Sequence, residues 1–106
     1  MKKNTKKLIN IIEGLGWNFN NNDNNRFSIE RWASNGKDIY YDITASNDFE
    51  FFAEVDTIYK NFDVDDEAKI NLECPGAPSV RQILEDCEEE DYELKKLRDS
   101  IYDLLF

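Results

Sequence analysis

A β-hairpin at residues 27–43 is the structure that this sequence specifies most sharply. Polar and apolar residues alternate from Arg26 to Trp32, and they do so again at the start of the run from Asp38 to Ile43. Alternation with a period of two is typical of a strand with one buried face. The runs are separated by a segment containing Asn35-Gly36, the dipeptide preferred in tight hairpin turns. The predicted inward face consists of Phe27, Ile29, Arg31, Ile39, Tyr41 and Ile43.

A long helix is predicted at the C-terminus. Ser79, followed three residues later by Gln82, has the sequence of a capping box. Glu90 occupies the one polar slot in the apolar series that follows. That series has three- and four-residue spacing and comprises Val80, Ile83, Cys87, Leu94, Leu97, Ile101 and Leu104. The pattern fits one helix of about 27 residues, near 40 Å long, or two helices that break at the acidic run.

A shorter helix is predicted near the N-terminus. Its apolar residues are Leu8, Ile9, Ile11, Ile12 and Leu15. Asn4 or Thr5 is the expected N-cap, and Gly14 and Gly16 lie where the helix should end. The following residues 18–25 are rich in asparagine, which favours turns, so we expect a loop there around a short strand at residues 17–19.

The middle of the chain allows more than one interpretation. Ser46 or Asn47 is a candidate N-cap for a helix whose apolar stripe continues to Phe62. A strand through residues 49–55 is the rival interpretation, but the stripe is longer than a typical strand. Residues 63–73 are ambiguous between strand and helix, and residues 74–78 are predicted to form a loop.

These elements predict an α+β fold in a single domain, residues 1–106. It has an N-terminal helix, a small antiparallel sheet, a middle helix and a long C-terminal helix over one sheet face.

The two cysteines, Cys74 and Cys87, do not make a disulfide framework, and no apolar run approaches a signal peptide or a membrane span. We therefore expect a cytoplasmic protein with reduced thiols, either a monomer or a small homo-oligomer.

Negative charge restricts the class of partner. The chain has 23 Asp and Glu against 13 Lys and Arg, and the whole excess lies beyond residue 37, since the first 37 residues are net positive. The acids are densest at residues 63–67 and at residues 88–91. Such a protein repels the phosphates of nucleic acids and membranes and attracts basic protein surfaces.

The sequence offers no reaction chemistry. It contains no histidine, which removes the Ser-His-Asp and Cys-His nucleophile arrangements and every mixed Cys/His zinc site. No phosphate-binding glycine motif occurs. The segment that starts at Asp63 begins like a calcium loop, but Ala68 replaces the required glycine and Cys74 the bidentate glutamate. We therefore expect neither an enzyme nor a protein that holds a cofactor or metal.

Part of the C-terminal half resembles a known group of proteins. The resemblance covers about 45 residues: Phe62 to Asp66, then Ala77 to Cys87, then Leu94 and Leu97, and its most specific part is Pro-Ser-x-Arg-x-x-Leu-x-Asp at residues 78–86. These segments are similar to small acidic proteins of phages and conjugative elements in Gram-positive bacteria. Acidic proteins from such elements include anti-CRISPR and anti-restriction inhibitors. The resemblance implies a partner among host nucleic-acid-handling proteins, and it assigns no functional residue.

We hypothesise a non-enzymatic binding protein of the anti-defence type, which inhibits or modulates a basic nucleic-acid-binding host protein. The alternative is a mobile-element accessory or immunity-type protein that binds its partner without imitating a nucleic acid. Dense acidic patches can imitate rows of phosphates and occupy a basic groove. The predicted partner-binding residues are Asp63, Asp65, Asp66, Glu67, Glu85, Glu88, Glu89, Glu90 and Asp91. If these acids are only a solvated face, the aromatic hairpin around Trp32 and Tyr40 is the next candidate surface.

Overall fold

The computed structural model describes residues 5–106 and has the predicted α+β layout. Its elements in chain order are α1 (Thr5–Gly14), β1 (Asn18–Asp23), β2 (Arg26–Trp32), β3 (Asp38–Thr44), α2 (Asp48–Asn61), α3 (Val64–Leu72) and α4 (Val80–Leu105). The ambiguous segment after α2 is thus the short helix α3, not a strand. No helix in this part of the chain combines the length and the apolar character needed to cross a bilayer.

The predicted hairpin is confirmed. The three strands form an antiparallel sheet in the order β1-β2-β3, and in the β2–β3 register Ile29 pairs with Tyr41 and Trp32 with Asp38. Gly36 adopts a φ of +95°, which an L side chain rarely does, and its N–H donates to Ala33 O at 2.9 Å. Gly36 therefore has the positive φ that glycine predicts, but Asn35 does not, and residues 33–37 form a five-residue connection instead of a two-residue Asn-Gly turn.

The main core lies between one sheet face and helices α1, α2 and α4. It contains alternate residues of β2 and β3 together with apolar residues of the three helices. Its largest fully buried side chains are Trp17, Phe51, Leu8, Ile12, Ile29, Ile39, Ile43, Leu94, Leu97 and Ile101. Helix α3 packs on α4 through a smaller cluster of Ala68, Ile83 and Cys87. The described helices therefore leave the other face of the sheet open.

The asparagine-rich segment differs from its prediction. We expected a loop with a strand at residues 17–19, but β1 extends from Asn18 to Asp23 and pairs with β2 along this length. Pairing with β2 supplies the backbone hydrogen bonds, so tertiary context overrides the low strand propensity of asparagine. Trp17 precedes the strand and is buried.

The helix boundaries follow local capping chemistry. Asn47 caps α2, as one alternative predicted, and the rival strand at residues 49–55 is wrong. Asp63 caps α3 by accepting from the N–H of Asp66 at 3.0 Å. Ser79 and Gln82 form the predicted capping box, and α4 is one unbroken helix of 26 residues. Helix α1 already includes Thr5, and the other candidate cap, Asn4, lies outside the described residues.

Candidate functional site

The nine predicted partner-binding acids lie on or beside helices α3 and α4, in very different environments. Glu90 is buried, with 2% of its surface exposed. Glu67, Glu89 and Asp91 are partly buried. The exposed members are Asp63, Asp65, Asp66, Glu85 and Glu88. The acidic residues are therefore not one continuous outward surface.

Four acids of α4 attach the helix to the β2–β3 hairpin. Asp86, Glu89, Glu90 and Glu93, which we call the anchoring acids, are spaced at i, i+3, i+4 and i+7 and so lie along one side of the helix. Each accepts a hydrogen bond from the hairpin. Their donors belong to Arg31, Ser34, Asn35, Lys37 and Tyr41. The carboxylates thereby provide acceptors for exposed and partly buried polar groups of the hairpin.

Asp86 binds the hairpin turn through three hydrogen bonds. Its Oδ1 accepts from the backbone N–H of Asn35 at 2.9 Å and from the Asn35 side-chain amide at 3.0 Å. Its Oδ2 accepts from the backbone N–H of Lys37 at 3.1 Å. One turn further along α4, Glu89 accepts from the Ser34 hydroxyl at 2.6 Å. The two carboxylates therefore fix residues 34–37 against α4.

Glu90 is the centre of a buried charged cluster. Its Oε1 lies 2.5 Å from Lys37 Nζ, its Oε2 accepts from the Tyr41 hydroxyl, and Glu67 of α3 lies 3.1 Å from the same ammonium group. Burial lowers the pKa of Lys37, but Glu90 and Glu67 more than offset that effect and raise it above 10.5. Burial and the neighbouring Glu90 likewise raise the pKa of Tyr41, so its hydroxyl remains a donor.

A raised lysine pKa fixes the sign of the pH dependence of this cluster. The stabilisation from the Lys37 charge is fully present below about 10.5 and is lost as the pH rises through the higher folded-state pKa. Lys37 therefore keeps its charge throughout the physiological range.

These contacts correct the expectation that residues 88–91 form an exposed row of charges. Glu90 is buried in an ion pair, and Glu89 is occupied by Ser34. Glu67 is likewise engaged by Lys37. Of the run itself, only Glu88 is fully exposed. The main support for a phosphate-like row on α4 is thus lost, because the chain uses two of its four charges, Glu89 and Glu90, internally.

The open face of the sheet carries a different set of acids. It presents Glu30 and Trp32 from β2 and Asp38, Tyr40 and Asp42 from β3, which we call the outer sheet face. Trp32 is 60% exposed and Tyr40 is 47% exposed. Within residues 5–106 none of the three carboxylates forms an ion pair. This face is therefore accessible, aromatic and negatively charged.

The cavities give little support to carboxylate chemistry. A cavity of about 260 Å³ lies between the hairpin turn and the α3–α4 loop, and Asp86 is the one carboxylate among its lining residues. Asp86 already accepts three N–H groups, so it is engaged in structure. In the described part of the chain, no three His, Cys, Asp or Glu side chains converge as they would around a metal ion.

Sequence reasoning missed the partnership between α4 and the hairpin. The acids were interpreted as a run in sequence, whereas Asp86, Glu89, Glu90 and Glu93 are grouped by helical spacing. Arg31 and Lys37, on or beside the hairpin, are the cations that pair with two of these carboxylates. Four carboxylates along one side of a helix and two cations in one hairpin would have indicated the contact.

Comparison of the chain with protein-family models, with curated proteins and with solved structures finds no match.

Proposed function

We propose that this protein is a non-enzymatic binding protein for a basic protein surface, and that it inhibits or modulates a nucleic-acid-binding host protein. Nucleic-acid-binding proteins are the proposed class because a phosphate-binding groove has a dense positive potential. The observation that supports this proposal is the exposed negative charge that no ion pair within residues 5–106 neutralises.

About half of the Lys and Arg of the described residues, six of eleven, already form ion pairs. Six Lys and Arg form ion pairs with acids of the described residues, and these are Arg31, Lys37, Lys60, Arg81, Lys95 and Arg98. Many exposed acids remain outside every ion pair of that part of the chain: Glu13, Asp23, Asp38, Asp42, Glu50, Glu54, Asp63, Asp65, Asp66, Glu73, Glu88 and Asp103. This surplus supports a long-range attraction for a basic partner.

Binding without nucleic-acid mimicry is the second candidate, and one observation favours it. Glu30, Asp38 and Asp42 of the sheet surround Trp32 and Tyr40, and an imitation of phosphate rows has no need of large aromatic side chains. Exposed aromatic residues are typical of the centres of protein–protein contacts. An immunity-type contact with a basic protein would use both features.

The test of the proposed function is affinity capture from a bacterial lysate. The lysate is treated with nuclease, so that no nucleic acid bridges the protein and its partner, and bound proteins are eluted by raising the salt. We expect the eluate to be enriched in basic, nucleic-acid-binding proteins. Adding this protein to one of them should weaken its binding to nucleic acid in proportion to the amount added.

Two results would overturn the proposal. One is an eluate with no bias towards basic proteins. The other is retention of a labelled DNA duplex by the purified protein at physiological salt, because a protein of this charge should repel it. If basic proteins are captured but their binding to nucleic acid is unchanged, the second candidate replaces the first.

A further inference from the structure

The outer sheet face places acids and aromatic rings side by side. Successive side chains of a strand point to opposite faces, so Glu30 and Trp32 of β2 share the face opposite to the core with Asp38, Tyr40 and Asp42 of β3. Trp32 pairs directly with Asp38, and Glu30 pairs with Tyr40. Directly paired residues have their Cβ atoms about 5 Å apart. Each ring therefore has a carboxylate as its immediate neighbour.

The charge on this face is not compensated. Glu30 pairs with Tyr40 and Asp38 with Trp32, so the two carboxylates are diagonal neighbours, and the proximity of Asp38 raises the pKa of Glu30. Asp42 accepts from the Tyr40 hydroxyl at 3.0 Å. Arg26, which β2 also directs to this face, pairs with Thr44 and so lies diagonal to Asp42, but it forms no ion pair within the described residues and is about 20 Å along the strand from Trp32. Like charges in contact are unfavourable, so a cation placed between them is attracted.

Elsewhere in this fold, carboxylates are compensated by hydrogen-bond donors of the same chain. The anchoring acids are buried or partly buried, and each has a donor from the hairpin. Glu30, Asp38 and Asp42 do not join two elements of the fold as the anchoring acids do, because they lie on the sheet face that no described helix covers. Trp32, 60% exposed, likewise contributes little to the core. These residues are therefore free to contact a partner.

We propose that the outer sheet face is the contact surface for the basic partner and that it receives an arginine side chain of that protein. This inference rests on the proposed function and adds the surface and the residue type it recognises. A guanidinium group is planar, stacks on an aromatic face and forms paired hydrogen bonds with a carboxylate. The neighbouring Trp32 and Asp38 offer both contacts at once. A lysine ammonium lacks the planar group and gains less.

The probe is a short synthetic peptide with several arginines, together with the same peptide in which lysine replaces each arginine. Binding is followed by amide chemical shifts of isotope-labelled protein and by tryptophan fluorescence. Trp17 is buried, so a peptide that binds at the surface changes the fluorescence through the exposed Trp32. We expect the largest shifts on β2 and β3, and tighter binding of the arginine peptide. Trp32→Ala should weaken that binding about two- to fivefold, as for the loss of an exposed cation–π contact.

The matched control is Tyr92→Ala on α4. Tyr92 is also 60% exposed, but it lies away from the sheet. We expect it to bind the arginine peptide like the unaltered protein, and both variants should unfold at an unchanged urea midpoint because both side chains are exposed. Equal losses in the two variants, or shifts centred on another surface, would overturn the inference.

The failure of this inference can be distinguished from failure of the proposed function. If Trp32→Ala captures basic proteins from lysate as well as the unaltered protein does, the outer sheet face is not the contact surface and the proposed function stands. If the unaltered protein captures no basic protein and does not bind the arginine peptide, both are wrong. If it captures none but binds the peptide through Trp32, the face recognises arginine and the proposed class of partner is wrong.

Discussion

Replacing Lys37 with methionine should destabilise the fold by about 3–5 kcal/mol, because the change leaves a buried carboxylate without its counter-ion. Glu90 is 2% exposed and lies 2.5 Å from the lysine ammonium. Methionine fills a similar volume, so the loss reports the charge and not a cavity. The measurement is the free energy of unfolding from urea titration.

Two further variants separate this effect from a general loss of ion pairs. Arg81→Met breaks the pair with Glu85, whose side chains are 89% and 50% exposed, and it should cost no more than about 0.5 kcal/mol. Adding Glu90→Gln to Lys37→Met should restore part of the lost stability, because a neutral amide is less costly to bury than a charge. If Lys37→Met costs no more than Arg81→Met, the buried cluster does not hold the hairpin.

Replacing Asp86 with alanine should cost about 2–4 kcal/mol, because several N–H groups at the hairpin turn lose their acceptor and each unsatisfied buried donor is costly. Asp86 accepts from the backbone N–H of Asn35 and of Lys37 and from the Asn35 side chain. Hydrogen exchange at these two backbone amides should accelerate more than exchange in the core strand β2. Urea titration gives the total loss, and exchange locates it.

The control for this change is Glu88→Ala, two residues further along the same helix. Glu88 is exposed, and no hydrogen bond or ion pair of the described residues uses its side chain, so the variant should remain within about 0.5 kcal/mol of the original protein. Equal unfolding free energies for the two variants would contradict the anchoring role of Asp86. Because both variants lose one negative charge on one helix, a general relief of repulsion cannot explain a difference between them.

Local sequence signals predicted the elements that depend on local chemistry. Asn35-Gly36 fixed the hairpin turn, and Ser79 with Gln82 fixed the start of α4. The α+β class followed from these elements and from their apolar periodicity. By contrast, β1 depends on its pairing with β2, a contact that asparagine propensity does not encode.

The role of the acidic residues could not be predicted from their clustering in sequence. Glu88 and Glu90 are neighbours in one acidic run, yet one is exposed and the other is buried against Lys37. Helical geometry, and not density of charge, separates them. The converse holds for Glu30 and Asp38, which are eight residues apart in the sequence and adjacent on the sheet. Which acids are available to a partner is therefore a property of the fold.

The difference between exposed acids and acids that are engaged within the chain limits which acids can contribute to binding. Among the acids that the sequence suggests for partner binding, Asp65, Asp66 and Glu88 are exposed and belong to no ion pair of the described chain, so they are the surface against which the outer sheet face is compared. Asp63 is also exposed, but its side chain caps α3, so its removal would change stability as well as charge. A test of binding should therefore leave Asp63 and the anchoring acids unchanged.

The most direct test compares two variants that remove the same charge from different surfaces. The sheet variant carries Glu30→Gln, Asp38→Asn and Asp42→Asn, and the helix variant carries Asp65→Asn, Asp66→Asn and Glu88→Gln. The measurement is the association rate with the arginine-rich peptide over a range of salt concentrations. We predict that the sheet variant associates more slowly and with a weaker salt dependence, whereas the helix variant changes much less. Equal reductions in the two variants, or a larger one in the helix variant, would contradict the central claim that the outer sheet face binds the basic partner.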